Sequence, residues 1–195
     1  MKHPNSPENQ SQRLQTLREL NIMHSNSEES YDNITSLASL ICGMPISLIS
    51  LIGENIQWFK SKVGTDICEG DPEVSHCAHA ILNPDELMEV QDTRKDERFA
   101  DNPFTLADPA LLFYAGMPLK AENGVVLGTL CVLDTKPNKL TDSQKYALQA
   151  LAKQVEKLFE LQGRNQHLEK VKDQLKAKNN QLREFAGTVS HDMKM

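Results

Sequence analysis

Two hydrophobic periods alternate along this 195-residue chain. Leu14, Leu17 and Leu20 repeat every three positions and predict a short amphipathic helix. Tyr31, Ile34, Leu37, Ala38 and Ile41 line one face of a second helix, with Ser25 and Glu28 spaced as a capping box before it and Cys42-Gly43 closing it. The period then shortens. Ile46 to Ile52 is apolar on nearly both sides, as a central strand covered on two faces would be. Gly53-Glu54-Asn55 makes a turn, and Ile56 to Val63 alternates as the hairpin partner, so that Trp58 and Phe59 serve sheet packing. Leu87 to Val90 is a short third strand. Phe113 to Leu119 and Val125 to Leu133 form a second hairpin across Glu122-Asn123-Gly124, where Asn-Gly supplies positive φ angles. Phe113 and Tyr114 must then face opposite sides of the sheet. The order of elements predicts an α+β domain, an antiparallel sheet with flanking helices.

A third period appears at the end. Thr141-Asp142-Ser143-Gln144 is a second capping box, and a single long helix follows it. Leu161, Leu168, Leu175, Leu182 and Val189 recur at seven-residue intervals, with Val171 and Phe185 at alternate seam positions. This is the heptad of a two-stranded coiled coil, and it predicts a parallel homodimer through the C-terminal helix. Glu160 and Arg164 stand at favourable i,i+4 spacing on its solvated face. Between Leu158 and Leu161 the apolar pattern advances by three rather than four, a slip in the heptad where the coil is expected to switch.

Composition narrows the partners. A formal net charge of −6 with 25% charged residues argues against nonspecific nucleic-acid binding, which needs a positive surface. Residues Met1 to Ser11 are polar, carry Pro4 and Pro7, and read as a flexible arm without the apolar core of a signal peptide. The most apolar run, Ile46 to Ile52, is too short to span a bilayer. A cytoplasmic protein with reduced thiols is expected. Cys42, Cys68, Cys77 and Cys131 show no CxxC spacing. Cys42 and Cys131 sit in apolar periodic positions, as inert core thiols do, and Cys68 beside Glu69 and Asp71 is expected to be exposed. His76 and His79 would share a helical face with Cys77 about 100° away, an awkward set for one metal ion. No metal site is expected; Cys77 packs inward and His79 hydrogen-bonds within the domain.

Five blocks now stand in one order: Ile56-Gln57-Trp58-Phe59-Lys60-Ser61, Cys77-Ala78-His79-Ala80-Ile81, Arg98-Phe99-Ala100-Asp101-Asn102-Pro103, Phe113-Tyr114-Ala115-Gly116 and Leu127-Gly128-Thr129-Leu130-Cys131-Val132-Leu133-Asp134. Together they resemble the signature blocks of GAF domains, in particular those ahead of bacterial histidine kinases and cyclic-dinucleotide synthases. The resemblance implies a five- or six-stranded antiparallel sheet with a small-molecule cavity on one face, and a dimer joined through terminal helices. His76 stands where that family usually carries an aromatic or apolar residue. His76, His79, Arg98, Asp101, Asn102 and Tyr114 are the candidates for an unidentified small-molecule ligand. Arg98, Asp101 and Asn102 either grip a polar ligand or cap a helix and close a loop.

At the end of the helix, Ser190-His191-Asp192-Met193-Lys194 resembles the phospho-acceptor box of sensor histidine kinases. A neutral imidazole can attack a γ-phosphoryl group, which makes His191 the phospho-acceptor, and Asp192 is placed to orient it. The sequence matches that box for five positions and then stops at Met195. The expected organisation is a flexible arm (1–11), a GAF sensory domain (12–160), a coiled-coil signalling helix (161–185) and the truncated start of a histidine phosphotransfer helix (186–195). The functional expectation is the sensory module of a two-component sensor histidine kinase, relaying a signal through a dimeric coiled coil to His191. No cofactor is expected in this chain. ATP and Mg²⁺ are implied for a full-length parent, as is a response regulator; without an ATP-binding domain the chain alone should be inactive. The alternative is a stand-alone small-molecule-binding or thiol redox enzyme on the same fold.

Overall fold

The computed structural model describes residues 1–192, with side chains through Arg183. The chain divides into two compact units, Met1–Phe159 and a second from Glu160 onward.

In the first unit, helices α1 (Gln10–Leu20) and α2 (Glu29–Cys42) precede strands β1 (Ile46–Ile52), β2 (Gln57–Val63) and β3 (Glu69–Gly70). A short helix α3 (His76–Ala80), strand β4 (Met88–Val90) and a single-turn helix α4 (Pro103–Leu106) follow. Strands β5 (Phe113–Lys120) and β6 (Val126–Asp134) lead into helix α5 (Asp142–Asp192). The six strands form one antiparallel sheet in the order β3-β2-β1-β6-β5-β4. β1 is a central strand, as its two-sided apolarity requires. β3, α3 and α4 carry too few residues to show a period, and none of them was visible in the pattern.

The two faces of the sheet have separate cores. Alternation along β5 sends Phe113, Ala115, Met117 and Leu119 to the first face, where Leu17, Tyr31, Ala38, Leu148, Ala152, Val155 and Phe159 of α1, α2 and α5 cover them. Tyr114 goes to the second face with Leu48, Cys77, Ala80, Ile81, Phe99, Cys131 and Leu133. Gly43 ends α2 at φ +66°, the left-handed cap that Cys42-Gly43 predicts. The capping box of α5 forms as expected: the Thr141 amide donates to Gln144 Oε1 at 2.9 Å, and the Gln144 amide donates to Thr141 Oγ1 at 3.3 Å.

Four local expectations are corrected. Ser25 and Glu28 do not cap α2. Instead both bind the Lys60 ammonium, Ser25 Oγ at 2.7 Å and Glu28 Oε1 at 2.6 Å, because the Lys60 side chain is wholly buried and needs acceptors. The buried stripe of α2 is Tyr31, Ile34, Thr35, Ala38 and Cys42, while Leu37 and Ile41 are exposed. Thr35 takes the inward place because its hydroxyl meets Ser61 Oγ at 2.7 Å. In the β5–β6 turn only Gly124 has positive φ, at +80°; Asn123 instead accepts from the Val125 amide and donates to Thr16 Oγ1. Finally, the N-terminal arm lies against the domain: the Met1 ammonium pairs with Asp101, the Lys2 amide donates to Arg98 O at 3.4 Å, and α1 already begins at Gln10.

The second unit is helical through Asp192. Leu161, Leu168, Val171, Leu175 and Leu182 are 44–68% exposed, which leaves an apolar heptad seam on the surface of this chain. Glu160 pairs with Arg164, and Glu169 with Lys172 at 3.1 Å. The side chains of Phe185, Val189, His191 and Asp192 lie outside the described residues. Among those described, no helix is long and apolar enough to cross a membrane.

Candidate functional site

A cavity of about 80 Å³ opens on the second face, between the β1–β2–β3 edge and the segments that carry α3 and α4. Ile46, Leu48, Phe59, Phe104, Leu111 and Leu133 make its apolar walls. Gln57, Thr65, Glu69, Ser75, His76, Cys77 and Tyr114 are the polar residues among its lining. Glu69 is the only charged residue among those lining it, and no Lys or Arg does so. Such a wall suits a small, largely apolar ligand and offers nothing to a phosphate.

The sequence builds this pocket locally from short elements. Ser75 caps α3, its Oγ accepting from the Ala78 amide at 3.3 Å, so His76 and Cys77 begin the helix facing the sheet. His76 is 4% exposed, its ring 4.3 Å from that of Phe99 and stacked 5.3 Å from that of Tyr114. Burial, with a smaller push from His79, lowers its pKa to about 4, so the ring is neutral at physiological pH. His76 is among the residues lining the cavity, and its Nε2 is buried with no hydrogen-bond partner within the protein.

Tyr114 owes its position to Gly116. A β-carbon at Gly116 would stand 2.1 Å from the Tyr114 hydroxyl, so the bare backbone there lets the phenol lie along its own strand. The hydroxyl then donates to Cys77 Sγ at 3.5 Å. Cys131, the cross-strand neighbour of Gly116, brings its sulfur to 3.8 Å from that of Cys77.

Of the six candidate ligand residues, the structure brings His76 and Tyr114 together at the cavity. The other four are placed elsewhere. His79 is half-buried and meets Lys2 O of the N-terminal arm through Nε2 at 3.0 Å, rather than a group of the domain 12–160. Arg98 forms a two-pronged pair with Asp96 at 2.9 and 2.7 Å, and its guanidinium lies over the Phe99 ring. Asp101 pairs with the Met1 ammonium. Asn102 caps α4 by accepting from the Phe104 amide at 2.9 Å, and donates to Val74 O at 2.8 Å. Asn102 thus caps a helix, Arg98 pairs with Asp96 two residues before it, and Asp101 meets the N-terminus. Residues that sequence reasoning missed are Leu48, Gln57, Phe59, Glu69, Phe104 and Leu111; only the strand parity of Leu48 and Phe59 could have pointed to them. Among the described residues no three His, Cys, Asp or Glu side chains converge as metal ligands.

The GAF domain family description matches residues 26–158, which is most of the head and all of this site. The chain belongs to the GAF domain family. It is 36% identical over 137 residues to a cyclic di-GMP phosphodiesterase of Pseudomonas aeruginosa, a match covering 70% of this chain and 23% of that protein. The chain therefore spans about a quarter of that curated relative. Among solved structures, the GAF domain of an Acinetobacter phosphoenolpyruvate-protein phosphotransferase superposes with a TM-score of 0.57 at 18% identity, covering 78% of this chain and 93% of that one. A domain assigned to a two-component sensor histidine kinase of Sinorhizobium meliloti gives a TM-score of 0.54 at 16% identity, covering 70% and 93%. These likenesses support the GAF fold, with its six-stranded antiparallel sheet and flanking helices.

Proposed function

We propose that this GAF domain is the cytoplasmic sensory module of a two-component sensor histidine kinase. A small uncharged ligand enters the cavity, against a wall that includes His76 and Tyr114. The consequence is passed to α5, whose first turns are clamped in the first-face core through Leu148, Ala152, Val155 and Phe159. Two copies pair in parallel along the Leu161, Leu168, Leu175 and Leu182 seam, and rotation or register shift of that pair presents His191 for phosphorylation, with Asp192 orienting the imidazole. ATP, Mg²⁺ and the catalytic domain belong to the full-length parent, and a response regulator receives the phosphoryl group. The observation that carries this reading is the exposed heptad on a helix whose beginning is locked into the head. A dimer needs that seam and a monomer has no use for it.

Sedimentation and phosphotransfer test it together. The chain should sediment as a dimer, L168E/L175E should sediment as a monomer, and a histidine-kinase catalytic domain supplied in trans with Mg·ATP should deposit an acid-labile phosphoryl group that is absent in H191Q. A monomeric wild-type chain, or labelling that persists in H191Q, would contradict the reading. The relative from P. aeruginosa supports a second reading, in which the same module governs a cyclic-dinucleotide phosphodiesterase output. In that case the seam would still dimerise and His191 would stay unlabelled.

A further inference from the structure

Cys77 and Cys131 are 54 positions apart in sequence, on α3 and β6, yet their sulfurs lie 3.8 Å from each other in the second-face core. They are 3% and 0% exposed, and Cys77 also lines the cavity. Tyr114 donates to Cys77 and not to Cys131, so the two thiols are unequal. Burial by itself opposes ionisation of Cys77, but the hydrogen bonds it receives, that from Cys131 foremost, together outweigh it and favour the thiolate there. Cys131 is held well above its ordinary range, first by its hydrogen bond to Cys77 and then by burial. A thiol of a cavity-lining residue that ionises first, next to a wholly buried second thiol, is the arrangement of an attacking and a resolving cysteine.

We propose that Cys77 and Cys131 are a redox-active dithiol that closes to an intrachain disulfide when a small hydroperoxide enters the cavity. The Cys77 thiolate attacks the terminal peroxide oxygen. The O–O bond breaks, hydroxide leaves and takes up a proton, and Cys77 becomes the sulfenic acid. Cys131 then gives its proton to the sulfenic hydroxyl and displaces it as water while the S–S bond forms. In sum two thiols and one hydrogen peroxide yield one disulfide and two waters; the thiols lose two electrons and the peroxide gains them. The sulfurs must approach to about 2.05 Å, a movement of under 2 Å for the pair. That movement draws α3 toward β6 and replaces the thiol that Tyr114 donates to, so the cavity wall differs between the reduced and oxidised states. Any effect of this closure on ligand binding rests on the sensory reading above; the bond itself does not.

The test uses the whole chain. Reduced protein is exposed to hydrogen peroxide, quenched, unfolded in an alkylating agent and mapped by mass spectrometry. The proposal expects two of the four thiols to escape alkylation, a linked Cys77–Cys131 peptide from monomeric chain, and recovery of both thiols with dithiothreitol. C68S should give the same linked peptide, and C131S should hold Cys77 as a sulfenic acid captured by dimedone. Full alkylation of Cys77 and Cys131 under exposure that oxidises Cys68 would overturn it. So would irreversible oxidation of Cys77 in the wild-type chain with Cys131 still free.

Discussion

The two faces of one sheet are built for different work. On the first face, alternate residues of β1, β5 and β6 meet three helices in a continuous apolar core with Phe113 and Phe159 fully buried. On the second face the neighbouring residues, Tyr114, Thr129 and Cys131 among them, meet short helices and loops that bring His76 and Cys77, and a cavity opens beside His76, Cys77 and Tyr114. Long helices bring whole turns of Leu, Ile and Phe and fill space well. Short elements bring few side chains each, so gaps and unpaired polar atoms such as His76 Nε2 persist between them. The same strands therefore hold a rigid platform for α5 on one side and a reactive, partly open wall on the other.

This contrast can be broken most forcefully at adjacent residues of β5. Phe113→Ala should cost about 3–5 kcal/mol in urea unfolding, because it leaves a hole in the filled face. The second face carries its own signature, a dependence on acid. The folded state keeps His76 neutral down to about pH 4, whereas the unfolded chain binds a proton near 6.5. Between those values the unfolded state holds more protons, so stability should fall as pH drops from 6.5 toward 4 and be fully retained above 6.5. The loss is on the order of 3 kcal/mol, and His76→Phe should flatten the slope of urea midpoint against pH in that window. At the rim of the first face, Glu28→Ala leaves the buried Lys60 ammonium with Ser25, Asn26 and the Tyr31 ring but no carboxylate, and should cost about 1–3 kcal/mol by the same assay. Tyr114→Phe removes a single hydrogen bond to sulfur and should cost least, about 0.5–1.5 kcal/mol.

Much of the platform was legible in the sequence. β1 announced itself as a central strand, Phe113 and Tyr114 as opposite-facing, and Thr141 with Gln144 as a helix start, because each depends only on residues close in the chain. The cavity was not legible. Period two says that Leu48 and Ile49 face opposite ways, but nothing local says which side receives the long helices. Ser25 and Glu28 fit a capping box and yet answer to Lys60, a buried charge more than thirty positions away. Arg98, Asp101 and Asn102 are residue types used equally for gripping ligands and for closing loops, and none of the three lines the cavity. Cys77 and Cys131 carry no spacing signal at all, since a strand crossing rather than a motif brings them together.

Xenon uptake followed by methyl NMR measures the central claim most directly, because a cavity with apolar walls takes up xenon and a filled core does not. Under xenon pressure, shifts should concentrate at the cavity methyls of Ile46, Leu48, Leu111 and Leu133 and leave Leu119, Leu127 and Leu130 on the first face unmoved. Equal shifts on both faces, or perturbation confined to the first, would contradict the division of the sheet into a platform and a binding wall.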